Sequence, residues 1–202
     1  REITRAQKPL SPGESQKLHQ VPYDHELQLF ASEPEIVNPI HVAWDHRGRA
    51  FVVETIDYPN NLHRGDLGHD RITICEDTNA DGKADRFTRF CEGLSIPTSL
   101  VFANGGVLCS NGPDVLFLQD TDGDDRADVK KVLFSGIGVG DTHAGVSNLR
   151  YAPDGWIWAT VGYSGFDGEV GGTKHSFAQG VFRFRPDGSA MEFVQHTPNN
   201  TW

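Results

Sequence analysis

The chain has 202 residues, with 18 basic against 28 acidic side chains and a net charge of −10. That length fits one domain or part of a larger one. The acidic balance argues against a nucleic-acid partner, which calls for a basic face, and no stretch reaches the ~18 apolar residues of a membrane span.

Residues 1–25 read as an N-terminal extension. Arg1 to Arg5 lacks the apolar core of a signal peptide. Ser11 followed by Pro12 marks the start of a short, peripheral helix, with Ser11 as cap and Pro12 in the first turn. Residues 26–202 read as a partial, all-β propeller. Glu26 to Ala31 is expected to be an extra strand, the outer strand of a closing blade.

The main signal is internal repetition. Asp77-Thr78-Asn79-Ala80-Asp81-Gly82-Lys83-Ala84-Asp85 recurs 43 residues later (120 − 77) as Asp120-Thr121-Asp122-Gly123-Asp124-Asp125-Arg126-Ala127-Asp128. Short runs rich in β-branched and aromatic residues flank each copy, Ile72–Cys75 and Phe87–Phe90, then Val115–Leu118 and Val132–Phe134. Such runs around a polar loop predict hairpins. Upstream, His41–Trp44, Ser99–Phe102 and Asn148–Tyr151 each lead through a Gly-containing turn into a second apolar run, and Gly180–Phe184 with Met191–Val194 forms a late hairpin. Four antiparallel strands per unit, three units, predict propeller blades at approximately 40–92, 98–136 and 146–196. Three blades do not close a ring, so the chain reads as a fragment of a longer protein.

The Asp-rich loops pattern as calcium sites. Asp77, Asn79, Asp81 and Asp85 occupy alternate positions with Gly82 at the turn, as oxygen ligands converging on one cation require. Asp120, Asp122, Asp124 and Asp128 repeat the set, with Asp125 in place of the turn glycine. An EF-hand is excluded, because Thr88 and Lys131 stand where its Glu belongs. Asp, Asn and Gly are also ordinary turn formers; any calcium here reads as structural. The three cysteines, Cys75, Cys91 and Cys109, form no CxxC or CxxCH, which argues against zinc or c-type haem in this chain; they read as buried strand residues.

The loop Gly138–Gly145 precedes the first strand of the third blade. Its His143 has the chemistry of a general base, with Asp141 placed to orient it; a histidine bonded only to loop backbone is the alternative. Glu54, Asp57, Tyr58, Arg150 and Tyr163 are expected to line the same pocket. His41, His63, His69 and His175 have no ligand spacing and read as loop or surface residues.

His143-Ala144-Gly145-Val146-Ser147-Asn148-Leu149-Arg150-Tyr151-Ala152-Pro153-Asp154-Gly155, running on to Trp158–Gly162, resembles the signature of PQQ-dependent glucose/sorbosone dehydrogenases. That resemblance implies a six-bladed propeller with His143 as catalytic base. Those enzymes continue with an Arg and an Asn that contact PQQ; here Phe166 and Asp167 stand at those positions. Phe30–Pro34, Gly48–Glu54, Asp57–Pro59, Glu76–Asp85, Gly162–Gly165 and Gln179–Phe184 are similar to the membrane-bound dehydrogenases of PVC-type bacteria. This second resemblance implies an extracytoplasmic (periplasmic or secreted) location and a c-type haem domain in the full-length protein. Three functions are consistent with these readings: a dehydrogenase of a sugar or polyol, a non-catalytic calcium-stabilised propeller binding glycan or protein, and a calcium-dependent lactonase-type hydrolase.

Overall fold

The computed structural model describes residues 8–59, 61–63, 65 and 67–200. A single helical turn, α1 (Pro12–Gln16), is capped by Ser11, whose side chain and backbone exchange hydrogen bonds with Glu14. This is the reciprocal capping box that the Ser-Pro-x-Glu order favours. No described helix is long and apolar enough to cross a membrane.

Three four-stranded antiparallel sheets follow, each the blade of a propeller. The first is β1 (Pro39–Trp44), β2 (Ala50–Glu54), β3 (Asp70–Glu76) and β4 (Arg86–Leu94), paired in chain order. The second is β5 (Leu100–Ala103), β6 (Gly106–Asn111), β7 (Asp114–Gln119) and β8 (Val129–Ser135). Asn104 and Gly105 alone join β5 to β6, both at positive φ (53° and 73°). That is the two-residue turn whose twist matches the strands it connects.

The third blade begins with β9 (Val146–Tyr151) and β10 (Ile157–Val161). A separate hairpin, β11 (Phe166–Val170) and β12 (Thr173–Phe177), interrupts it before β13 (Gly180–Phe184) and β14 (Met191–His196) complete the order β14-β13-β10-β9. The hairpin leans on the exit of blade two, where the Asp167 N–H donates to Gly136 O at 2.8 Å. The first strands β1, β5 and β9 approach one another, as innermost strands do around a propeller axis.

The core lies between blades. Phe51, Val53, Ile72, Phe90, Leu100 and Leu118 fill the space between blades one and two; Phe134, Leu149, Ile157, Phe166, Phe182 and Phe184 fill that between two and three. Burying each such side chain contributes about 1.5–3 kcal/mol. A third, smaller cluster sits on the outer face of blade one, where Phe30 and Ile36 cover Ala50, Val52 and Cys75.

The segment 26–31 does not form the expected strand. It has no ladder partner among the described residues and is held by single bonds, from Ala84 N–H to Phe30 O (2.8 Å) and from the Gln16 amide to Leu27 O (2.6 Å). The three cysteines are buried thiols, Cys75 on β3, Cys91 on β4 and Cys109 on β6.

Candidate functional site

The antiparallel order places the loop between β2 and β3 and the approach to β9 at one end of the blades. The β1–β2 turn and both Asp-rich loops lie at the other.

At the first end, Thr142–Ala144 forms one 3-10 turn with Asp141 as its cap. The Asp141 carboxylate accepts from the His143 N–H at 2.9 Å and pairs with His143 Nδ1 at 3.0 Å. Its other oxygen accepts from the Tyr163 hydroxyl. Those bonds, the Tyr163 one first, hold the Asp141 carboxyl below its usual range, and the same contact raises the Tyr163 phenol. Tyr163 is itself positioned by its backbone N–H, which donates to Asn200 Oδ1 at 2.8 Å. Gly162 packs so closely that a Cβ there would stand 2.7 Å from Ala144 Cα.

The Tyr58 ring meets the His143 imidazole edge-on, with centroids 5.0 Å apart, and the Thr142 hydroxyl donates to Pro59 O at 2.8 Å. Pro59, Thr142, His143, Tyr163 and Ser164 border an open cleft of about 650 Å³, within the size range of small-molecule sites. His143 is half-exposed, and its Nε2 has no hydrogen-bond partner among the described residues. One ring nitrogen is therefore oriented by a carboxylate while the other has no partner among the described residues.

Of the five expected pocket residues, Tyr163 borders this cleft and Tyr58 reaches it only through its ring contact with His143, whereas Glu54, Asp57 and Arg150 do not. Glu54 is fully buried, gripped by Arg71 (2.9 and 2.8 Å), Arg89 (3.0 Å), the Val37 N–H (2.6 Å) and the Thr73 hydroxyl. Burial alone would raise its carboxyl, but these donors outweigh it and the net shift is downward. With both carboxylate oxygens engaged, Glu54 holds blade one together. Arg150 is exposed on β9, opposite Trp158, and borders no part of the cleft. Asp57 stands behind Tyr58, 4% exposed, against His69 and His63. His63 and His69 thus belong to a cluster that sequence spacing did not suggest. His41 is not a plain surface residue either: it is half-buried on β1, and burial, then the Arg150 charge, lower its imidazole pKa.

The positions aligned with PQQ contacts do not fit that cofactor. Phe166 is 2% exposed, its ring stacked on Phe177 at 5.3 Å inside the core. Asp167 is exposed on β11, 3.9 Å from Lys174. Neither borders the His143 cleft, and no Lys or Arg among the described residues does.

At the far end, the Asp-rich loops curl around their own backbone. Asp77 accepts from Gly82 N–H (2.7 Å) and Asp81 N–H (3.2 Å), Asn79 Oδ1 from Asp81 N–H (2.9 Å), and Asp81 from Lys83 N–H (2.9 Å). In the second loop Asp120 accepts from Gly123 N–H (2.7 Å) and Asp125 N–H (2.9 Å), and Asp124 from Arg126 N–H (2.8 Å). Asp120, Asp122 and Asp124 bring carboxylate oxygens within 4.8 Å of one another. The Asp124 charge is the leading cause raising the Asp122 carboxyl. Asp85 and Asp128 accept instead from Thr78 and Thr121.

No curated protein matches the chain. Among solved structures, a Thermus thermophilus protein described as a "putative oxidoreductase (glucose dehydrogenase)" is similar at 21% identity and a TM-score of 0.41, over 61% of this chain and 39% of that one. This chain thus spans well under half of that protein, and so distant a likeness carries no argument about activity. The model of one family matches residues 11–202, and the chain belongs to that family, described as Domain of unknown function (DUF7133).

Proposed function

We propose that this chain is the propeller part of an extracytoplasmic oxidoreductase acting on a sugar or other polyol, with His143 as general base. The observation that carries the reading is the Asp141–His143 pair. Asp141 holds Nδ1 at 3.0 Å, Nε2 has no partner among the described residues, and His143 borders the cleft together with Tyr163 and Ser164. A base so held is placed to take an alcohol proton as the carbon gives up its hydride. The hydride needs a two-electron acceptor, and a quinone-class group supplies that chemistry. PQQ in its familiar pose is not that group, because Phe166 and Asp167 offer it no cation. A c-type haem domain of the full-length protein is the onward electron partner in this reading.

Calcium enters as a structural ion of the two Asp-rich loops. They lie at the opposite end of the blades from His143, which separates them from the chemistry. The buried Phe166 favours a second reading, a calcium-stabilised propeller that binds glycan or protein without catalysis.

Dye reduction by the full-length protein with a panel of sugars and polyols separates the two. His143→Ala is expected to lower the rate at least ~100-fold, the typical contribution of a general base. The half-exposed position predicts a stability change within about 0.5 kcal/mol. A fully active His143→Ala protein overturns the catalytic reading. Glycan binding by a wild type that reduces no dye supports the second.

A further inference from the structure

The loop from β2 to β3 gathers three side chains that the function above does not use. Asp57 Oδ1 lies 2.8 Å from His69 Nδ1, and its Oδ2 lies 3.6 Å from His63 Nε2. The three candidate ligand atoms are within 4.8 Å of one another, and the two imidazole rings face at 86° with centroids 5.5 Å apart. Each is fixed by further bonds. The Asp57 N–H donates to Asp70 Oδ1 at 2.8 Å, and Asp70, fully buried, also accepts from Ile96 N–H at 2.5 Å. The His63 N–H donates to Ser95 Oγ at 2.8 Å, and the His69 N–H returns to Asp57 Oδ2 at 2.7 Å. A buried carboxylate and a neighbouring blade's approach thus fix the loop from behind, as outer partners do in metal sites.

His69 pairs simply with Asp57, but His63 does not. A distance of 3.6 Å is too long for a hydrogen bond. Two ligands at about 2.0–2.2 Å from a tetrahedral ion stand about 3.4 Å apart. The His63 Nε2–Asp57 Oδ2 separation of 3.6 Å already has about that length, whereas the 2.8 Å from His69 Nδ1 to the other oxygen, Oδ1, is a hydrogen-bond distance that must open by about half an ångström as the carboxylate turns one oxygen to the ion. Two imidazoles and one carboxylate suit borderline divalent ions, whereas calcium and magnesium take oxygen. His63 is about one-third exposed and His69 about two-thirds, so the fourth position faces solvent.

We propose that Asp57, His63 and His69 bind a divalent ion of the zinc class, with three protein ligands and one position open to water. The absence of paired cysteines argues against a thiolate zinc site only; this donor set needs none. The ion would also brace one wall of the His143 cleft, since Tyr58 and Pro59 follow directly on Asp57.

The test is a titration of the chelator-treated full chain with zinc ion alone, with cobalt(II) as a spectroscopic stand-in, in excess calcium. Calcium saturates any oxygen-only site in the Asp-rich loops. The expected result is one equivalent bound at micromolar or tighter affinity, with the absorption of tetrahedral cobalt. His63→Ala and His69→Ala, both at partly exposed positions, should each weaken it at least ~100-fold while the melt without metal stays in place. Zinc affinity unchanged in the double variant His63→Ala/His69→Ala overturns the site. So does displacement of the zinc by calcium, or a wild type that binds only at millimolar zinc.

Discussion

The loops 77–85 and 120–128 have one backbone and two solutions to its strain. Positions four and six are left-handed in both, at φ 61° and 87° for Ala80 and Gly82, and 83° and 66° for Gly123 and Asp125. Glycine takes position six in the first loop and position four in the second. Where the first loop has Gly82 against the Gln28 side chain, the second has Asp125 bound to Arg49 at 2.6 Å, with Arg47 at 3.7 Å and Arg86 at 3.8 Å. These arginines belong to blade one, so the strained residue of blade two is also a cross-blade anchor. A repeated motif therefore preserves dihedral angles more strictly than residue types, and a substitution that looks like a lost turn can be an acquired contact.

The largest expected effect comes from breaking that anchor. Arg49 is 6% exposed and joins Asp45 (2.9 Å) to Asp125. Arg49→Ala leaves the buried Asp45 carboxylate without its cation, and a loss of about 3 kcal/mol in denaturant unfolding is expected. A loss below about 1 kcal/mol would mean that the second loop stands without the cross-blade pair. Calcium removal comes next. At a calcium concentration about 100 times the dissociation constant, each occupied loop adds about 2.7 kcal/mol. Asp81→Ala and Asp124→Ala should each abolish the contribution of one loop, and superimposable melts with and without chelator would remove calcium from the account. The smallest effect has the opposite sign. Ala80→Gly relieves left-handed strain of about 1–2 kcal/mol against a glycine entropy cost of about 0.5–1 kcal/mol. A gain of about 0.5 kcal/mol is expected in the melt. Destabilisation there would show that Ala80 contributes packing the dihedrals do not reveal.

The blades and their loops were legible because the 43-residue repeat and the turn glycines recur at fixed offsets. The Asp141–His143 pair was legible for a similar reason, since both residues share one short loop. Three features were not. The β11–β12 hairpin hid behind a resemblance that set Phe166 only against a cofactor-contact position; its Gly171-Gly172 turn, at φ 59° and 77°, was the available signal. The Asp57, His63 and His69 cluster follows the course of an irregular loop, which has no period to read. The strand expected at 26–31 failed because a strand belongs to a pair. Yet Ala84 N–H reaches Phe30 O as Ala127 N–H reaches Phe90 O of β4 (2.7 Å), so the segment occupies an outer-strand position without a ladder.

That attachment gives the cysteines different kinetic depths. Cys75 is fully buried, and burial first, then the Glu54 carboxylate, push its thiol up to about 12. Its cover on the outer face is Phe30 and Ile36, which precede blade one, together with Ala84 of the first Asp-rich loop and Phe87 of β4. Cys91 and Cys109 lie instead between blades one and two. A thiol reagent is therefore expected to reach Cys75 through a local opening of that outer face, in which the N-terminal segment lifts and the β3–β4 hairpin end loosens, whereas Cys109 waits for two blades to part. One side chain thus times the opening of an outer face, and another the separation of the blades.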